Sequence, residues 1–258
     1  MDALADDLRA ESAELRAVLA ALTEEQWRQE TPAEGWTVAD QVSHLAYFDD
    51  VALRSATDPE AFAAEKDAMD AEGGVSPDTI AARFRDLSGA EMLTWFDEAR
   101  TGLIDAFREL DPKTRVPWFG PAMSAASSLT ARIMETWAHA QDVYDAVGAP
   151  HPPSDRLRHV AHIGVGARAF SYAAHGLAMP EVPVRVELVA PDGSTWTWGP
   201  EDAADRITGP AEDFALLITQ RRHRDDLSLT VEGDAATEWA RIGQAFAGEA
   251  GTGRKPLS

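Results

Sequence analysis

Apolar residues recur three and four apart through the first 175 positions and then, from Val182 onward, alternate with polar ones. This switch of period constrains the fold more than any other feature of the chain. A repeat near 3.6 buries one stripe of a helix, whereas a repeat of 2 buries one face of a strand. The expected class is therefore α+β, a helical bundle first and a small mixed module after it.

Leu4, Leu8, Leu15, Leu19 and Leu22 mark a first helix. After the turn-rich TPAEGW, Thr37 and Asp40 read as a capping pair, and Val38, Val42, Leu45, Phe48 and Val51 carry a second helix to about residue 56. Residues 57–76 are short of large apolar side chains and end near Gly73 and Gly74, which suggests a linker or a flap over a site. From Ser76 and Pro77 a third helical region runs through Ile80, Phe84, Leu93, Phe96, Leu103 and Phe107 to about Leu110, with Gly89 as an expected kink. The loop DPKTRVPWFGPAMS follows, and Ser127 or Ser128 then opens a fourth helix that ends at Gly148. Leu157, Val160, Ile163 and Phe170 indicate a fifth, over 154–175. Five such helices imply an antiparallel bundle with one extra member.

Val182, Val184, Val186 and Leu188 then form a strand, Pro191-Asp192-Gly193 a turn, and TWTW the returning strand. A helix over 211–221, the strand LSLTVEG and a last helix over 237–246 complete the module. The expected domains are a bundle over 1–178, an α+β domain over 179–250 and a frayed tail over 251–258.

Composition narrows the function. The 258 residues carry 23 Lys and Arg against 44 Asp and Glu, a formal charge of −21, which repels phosphate backbones and anionic lipid. The expected partner is a small-molecule substrate, with no nucleic acid and no membrane, for a cytoplasmic monomer or homodimer. Cysteine is absent, which removes disulfides, thiolate zinc sites and a cysteine nucleophile, so thiol chemistry would have to arrive with a cosubstrate.

Of seven histidines, His139 and His44 sit where a bundle interior and a ligand set coincide. Glu135 lies one turn before His139, on the same helical face, and His44 occupies the inward side of the second helix. If those helices face each other, His44, Glu135 and His139 form a two-histidine, one-carboxylate set suited to Zn²⁺, Ni²⁺, Mn²⁺ or Fe²⁺ with a coordination position left open. The alternative is a hydrogen-bonded surface pair beside a satisfied core histidine. Arg132, Asp142 and Asp49 are candidates to support the ligands through a second bond. Trp36 and Trp118 are candidates to line a pocket or to anchor loops, while His159 and His162 read as surface or core residues.

The segments AESAELRAVLAAL, TPAEGWTVADQVSHLAYFDD and ETWAHAQDVYDAVG resemble the DinB-like metal-binding bundle, in particular the actinobacterial mycothiol-dependent maleylpyruvate isomerase group. GW-x-x-x-D-x-x-x-H-L followed about 90 residues later by E-x-W-x-H carries the likeness, and it extends over nearly the whole chain. The resemblance implies a metal, zinc in the isomerase, on His44, Glu135 and His139. It also implies mycothiol as cosubstrate, its thiolate adding to an electrophile such as an enone or epoxide to give isomerisation or S-transfer. A metal-dependent hydrolase, lyase or tailoring enzyme without a thiol, or a non-catalytic metal-binding protein, are the alternatives. It further implies a catalytic arginine near the end of the helix before a V-x-G-D strand end. Arg221 matches, with Arg222 and Arg224 beside it, although Gln220 stands where the group has glycine. Otherwise Arg221 and Arg222 would serve the last carbonyls of that helix.

Overall fold

The computed structural model describes residues 1–71, 73, 74 and 76–257, and the chain divides into two compact units, Met1–Pro152 and Pro153–Ser258. The first contains α1 (Asp2–Leu19), the single turn α2 (Glu24–Trp27), α3 (Val38–Thr57), α4 (Pro59–Ala71), α5 (Pro77–Ala82), α6 (Gly89–Arg108), the two-residue strands β1 (Arg115–Val116) and β2 (Met123–Ser124), and α7 (Ala125–Val147). Four of these form the bundle, with α3 packed on α6 and α7 and α1 packed on the same two. Ion pairs Arg16–Asp97 and Arg9–Asp105 descend α1 as they climb α6, so these two are antiparallel. Asp49–Arg132 and His44–Glu135 establish the same relation between α3 and α7.

Local chemistry sets where the bundle helices begin. Thr37 caps α3, its hydroxyl accepting from the Asp40 amide while the Asp40 carboxylate accepts from the Thr37 amide at 2.8 Å, the expected capping pair. Arg85 adds a bond from Nε to Asp40 Oδ1 at 2.9 Å. Burial pushes the Asp40 carboxyl up, but the bonds from Arg85 and Thr37 outweigh it and hold the group below its usual range. At α7 the cap is Ser124, so the helix starts at Ala125, ahead of the Ser127 or Ser128 expected, and it does end at Gly148.

Other expectations need correction. Residues 57–76 contain a helix, α4, anchored by the buried Phe62. The third helical region is two helices, and Gly89 opens the second instead of kinking it. A Cβ at Gly89 would lie 2.4 Å from the Trp27 indole, so the absent side chain is what lets α6 meet α2.

The second unit contains α8 (Leu157–Gly166), α9 (Arg168–Ala174), β3 (Val184–Val189), β4 (Thr195–Trp198), β5 (Asp205–Pro210), α10 (Ala211–Ile218), a 3-10 turn (Arg224–Asp226), β6 (Thr230–Glu232) and α11 (Asp234–Ile242). The sheet order is β4-β3-β5-β6, with β3 and β5 parallel and the outer pairs antiparallel. The β3–β4 hairpin was legible, but the inner strand β5 was not, since DRITGP offers one large apolar residue, Ile207. The segment read as one fifth helix of the bundle is α8 and α9. α8 packs on α10 so closely that a Cβ at Gly164 would overlap Ile218, which groups it with the second unit and places the division near residue 152 instead of 178. The expected frayed tail is bonded: the Gly251 amide donates to Gln244 Oε1 at 2.9 Å, Gly253 to Gln220 Oε1 at 3.2 Å and Leu257 to Asp226 at 3.1 Å. Among the described residues, no helix is long and apolar enough to cross a membrane.

Within the first unit, among the described residues, a charged layer separates two of the three clusters of the apolar core. One cluster gathers Leu15, Leu45, Phe96 and Ala140, the other Leu8, Ala52, Leu103 and Ile133. Between them, on the same four helices, lie Ser12, Asp49, Arg100 and Thr136, all buried. Arg100 Nε donates to Asp49 Oδ2 at 2.6 Å and Arg132 Nε to Asp49 Oδ1 at 2.8 Å. Arg100 Nη1 reaches the hydroxyls of Ser12 and Thr136, and Arg132 Nη2 reaches the Leu45 carbonyl.

Two stability measurements follow. Asp49→Ala strands two buried guanidinium groups, so urea denaturation should show a loss of about 3–5 kcal/mol; a loss below about 1 kcal/mol would deny the layer its role. For Asp40, whose carboxyl is held low in the folded state, the contribution is present above the unfolded carboxyl value near 3.8 and disappears as pH falls through the depressed folded one. The stability gap between wild type and Asp40→Asn, about 1 kcal/mol at pH 7 because Arg85 is half exposed, should therefore close under acid titration.

Candidate metal centre

The antiparallel register of α3 and α7 brings the three expected ligands together. Each of His44, Glu135 and His139 offers one ligand atom, and those atoms lie within 4.8 Å of one another. Glu135 Oε2 is 3.2 Å from His139 Nε2 and 3.5 Å from His44 Nε2, and the two imidazole centroids are 4.3 Å apart. Among the described residues this is the group of histidines and carboxylates that could hold a metal ion.

A chain of hydrogen bonds fixes how His139 presents itself. Thr31 Oγ1 donates to the Trp36 carbonyl at 2.9 Å and so accepts from Gln41 Nε2 at 2.9 Å, which turns Gln41 Oε1 toward His139 Nδ1 at 2.5 Å. An amide oxygen can only accept, so His139 carries a proton on Nδ1 and directs Nε2 at Glu135. Burial pushes the Glu135 carboxyl up, but the neighbouring His139 and then His44 outweigh it and hold it well below the usual carboxylate range. An anionic oxygen 3.2 Å from that nitrogen calls for positive charge beside it, supplied either by a proton on the imidazole or by a cation that both residues hold. The buried Nδ1 of His44 has no hydrogen-bond partner among the described residues, a rare state for such an atom. Two imidazole nitrogens and one carboxylate, gathered within 4.8 Å of one another, fit a borderline divalent ion with further positions free.

Aromatic rings enclose the ligands. Trp36 lies 5.9 Å from His139 in a stacked arrangement and 5.5 Å from His44, its Nε1 donating to Asp78 Oδ1 at 2.6 Å. Phe48 lies 4.7 Å from the other side of the site at His44, and Trp118 sits 6.3 Å from Phe48.

The supporting residues differ from those expected. Asp49 and Arg132 bond each other, not the ligand imidazoles, and Asp142 is buried on α7. Gln41, three residues before His44, performs the support and was missed because a carboxylate was sought there. Its helical face was the available signal. Arg221 lies in the second unit just beyond α10, where Nη1 donates to the Thr219 carbonyl at 2.6 Å and the amide to the Leu216 carbonyl, as the helix-end reading expects. Gln220 before it has φ 57, the left-handed region that glycine adopts more readily. His159 and His162 are on α8, and His162 Nδ1 accepts from Trp198 at 3.4 Å.

Removing the amide tests the support directly. Gln41→Leu should weaken zinc affinity about 10–100-fold in a chelator competition while leaving the helical signal intact; an unchanged affinity would show that His139 is oriented by something else.

Comparison with known proteins agrees with this geometry. The family model described as the mycothiol maleylpyruvate isomerase N-terminal domain matches residues 8–144, and a model described as wyosine base formation matches residues 180–231. Uncharacterized proteins of Mycobacterium tuberculosis, from strains H37Rv and CDC 1551, are each 46% identical over 248 residues, covering 96% of both chains. The crystal structure of the mycothiol-dependent maleylpyruvate isomerase, and that of a histidine-to-alanine mutant of it, share the fold at TM-score 0.61 and 17% identity, covering 89% of this chain and 92% of theirs. The match of the first model spans more than half of the chain and contains all three ligand residues, and the chain belongs to the mycothiol maleylpyruvate isomerase N-terminal domain family.

Proposed function

We propose that this protein is a divalent-metal-dependent enzyme that brings a low-molecular-weight thiol of the mycothiol kind to an electrophilic small molecule, as an isomerase or S-transferase. Zinc is the proposed ion, held by His44, Glu135 and His139. The observation that carries the reading is the convergence of one ligand atom from each of His44, Glu135 and His139 within 4.8 Å, with Gln41 on His139 Nδ1 so that Nε2 faces the shared centre. When bound, a divalent ion supplies a thiol with its anion at neutral pH by lowering the thiol pKa. The chain has no cysteine to compete for that ion.

The protein's own residues prepare the reaction. Gln41 holds the His139 tautomer, and the depressed Glu135 carboxyl stays ionised, so neither ligand needs to change protonation state when a thiol approaches. Trp36 and Phe48 cover the imidazole faces and keep water from them, which strengthens electrostatic interactions at the site.

One experiment tests these roles together. Protein purified without added metal should contain close to one zinc per chain by elemental analysis, and it should accelerate thiol addition to an enone only when the thiol is present. His139→Ala should abolish both metal and rate. Metal-free wild type, or a rate that ignores the thiol, would refute the reading.

A further inference from the structure

Beside His44 the first unit assembles four aromatic rings from three separate elements. Phe48 comes from α3, Phe62 from α4, and Trp118 and Phe119 from the turn between β1 and β2. Phe62 and Trp118 are stacked at 6.3 Å with 7° between their planes, and Phe119 stands edge-on to Phe62, Phe48 and Trp118 at 5.3–6.2 Å. Phe48 and Phe62 are buried, while Trp118 and Phe119 keep part of their surface in solvent. Phe48 also touches the His44 ring, so the cluster is continuous with the metal ligands.

The polar groups at its edge include Arg54, Glu65 and Tyr47, and the charge of Arg83 also acts on Tyr47. Arg54 pairs with Glu65, and Tyr47, whose ring lies 5.2 Å from Phe48, donates its hydroxyl to Glu65 Oε1 at 3.1 Å. Burial, with Glu65 beside it, pushes the Tyr47 phenol up to about 12, so it stays neutral. A carboxylate laid against these rings would lose its water and gain no hydrogen bond from the faces of the rings themselves, which is costly. A flat apolar group would gain both buried area and ring stacking.

We propose that Phe48, Phe62, Trp118 and Phe119 form the seat for an apolar, ring-bearing arm of the electrophile, so that the enzyme selects aryl- or alkyl-substituted enones over carboxylated ones. The inference rests on the metal and thiol reading above and names its substrate class. In the reaction the sulfur–carbon bond forms at the β carbon of the enone, the C=C electron pair moves to the carbonyl oxygen, and the proton lost by the thiol returns to the α carbon. Rings at the seat hold the arm while this happens and take no part in bond making.

The test uses full-length zinc-loaded protein, mycothiol, and two enones that differ only in one substituent: benzylideneacetone, which carries phenyl, and acetylacrylate, which carries a carboxylate. The kcat/KM for benzylideneacetone should exceed that for acetylacrylate by about tenfold or more. Trp118→Ala and Phe119→Ala should each reduce that ratio at least about fivefold through KM for the enone, with zinc content and the thiol KM unchanged, and Trp118→Phe should restore most of it. Benzylacetone, the saturated and unreactive analogue, should bind the wild type in a ligand-observed NMR titration and bind both alanine variants more weakly. Preference for acetylacrylate, variants that leave the ratio and benzylacetone binding alone, or variants that shift the thiol KM instead would each overturn the seat. If neither enone reacts yet benzylacetone binding still depends on Trp118 and Phe119, the seat stands and the thiol chemistry falls.

Discussion

The buried carboxylate of Asp49 is the constraint from which the rest of the first unit follows. It accepts from Arg100 on α6 and Arg132 on α7, and Arg100 continues to Ser12 on α1, so all four bundle helices meet at one charged layer between two apolar clusters. An apolar core tolerates a slide of one helix along another far better than a guanidinium–carboxylate pair does, because a slid pair leaves buried charge uncompensated. The layer therefore sets register more than it adds stability. Arg132 lies three residues before Glu135 and Asp49 five after His44, so fixing this pair fixes the distance at which the ligands face each other.

That dependence explains what the sequence could and could not disclose. The grouping of His44, Glu135 and His139 was legible because they sit at helical spacing on elements with strong apolar periods and clear caps, Thr37 with Asp40 at one and Gly148 at the other. Asp49 and Arg132 were noticed on the same helical grounds but given the wrong partners, since spacing states which face a residue occupies and not what crosses from the next helix. Arg100 carried no signal at all: one cation inside an amphipathic segment looks like any solvated charge until packing buries it. The small sheet illustrates the same limit. Strand β5 is central yet polar in sequence, and its Asp205 is buried because its carboxylate accepts from the Ala236 amide at 3.0 Å, a tertiary bond with no local pattern.

The site is held neutral enough to exist and charged enough to bind. In a chain of net charge −21, one ionised carboxylate shared by two imidazoles is a small local excess, and the surrounding rings of Trp36 and Phe48 lower the local dielectric in which it acts. Gln41 does here what a carboxylate was expected to do from the sequence: its amide oxygen accepts a hydrogen bond from Nδ1 and leaves Nε2 directed at Glu135.

Much of this converges on thirteen residues of α3 and its cap. Thr37 and Asp40 start the helix, Gln41 orients an imidazole, His44 supplies one, Phe48 extends the apolar wall, and Asp49 locks the register. At about 100° per residue, Gln41, His44 and Phe48 fall within roughly 60° of one another around the helix, one narrow stripe aimed at α7. Inserting or deleting a single residue between Gln41 and Asp49 would turn the downstream part of that stripe by about 100°. It would carry Asp49 away from both arginines while leaving helix propensity and composition untouched. The spacing of the motif is therefore a geometric requirement of the bundle itself, imposed by one helix performing five tasks on adjoining faces.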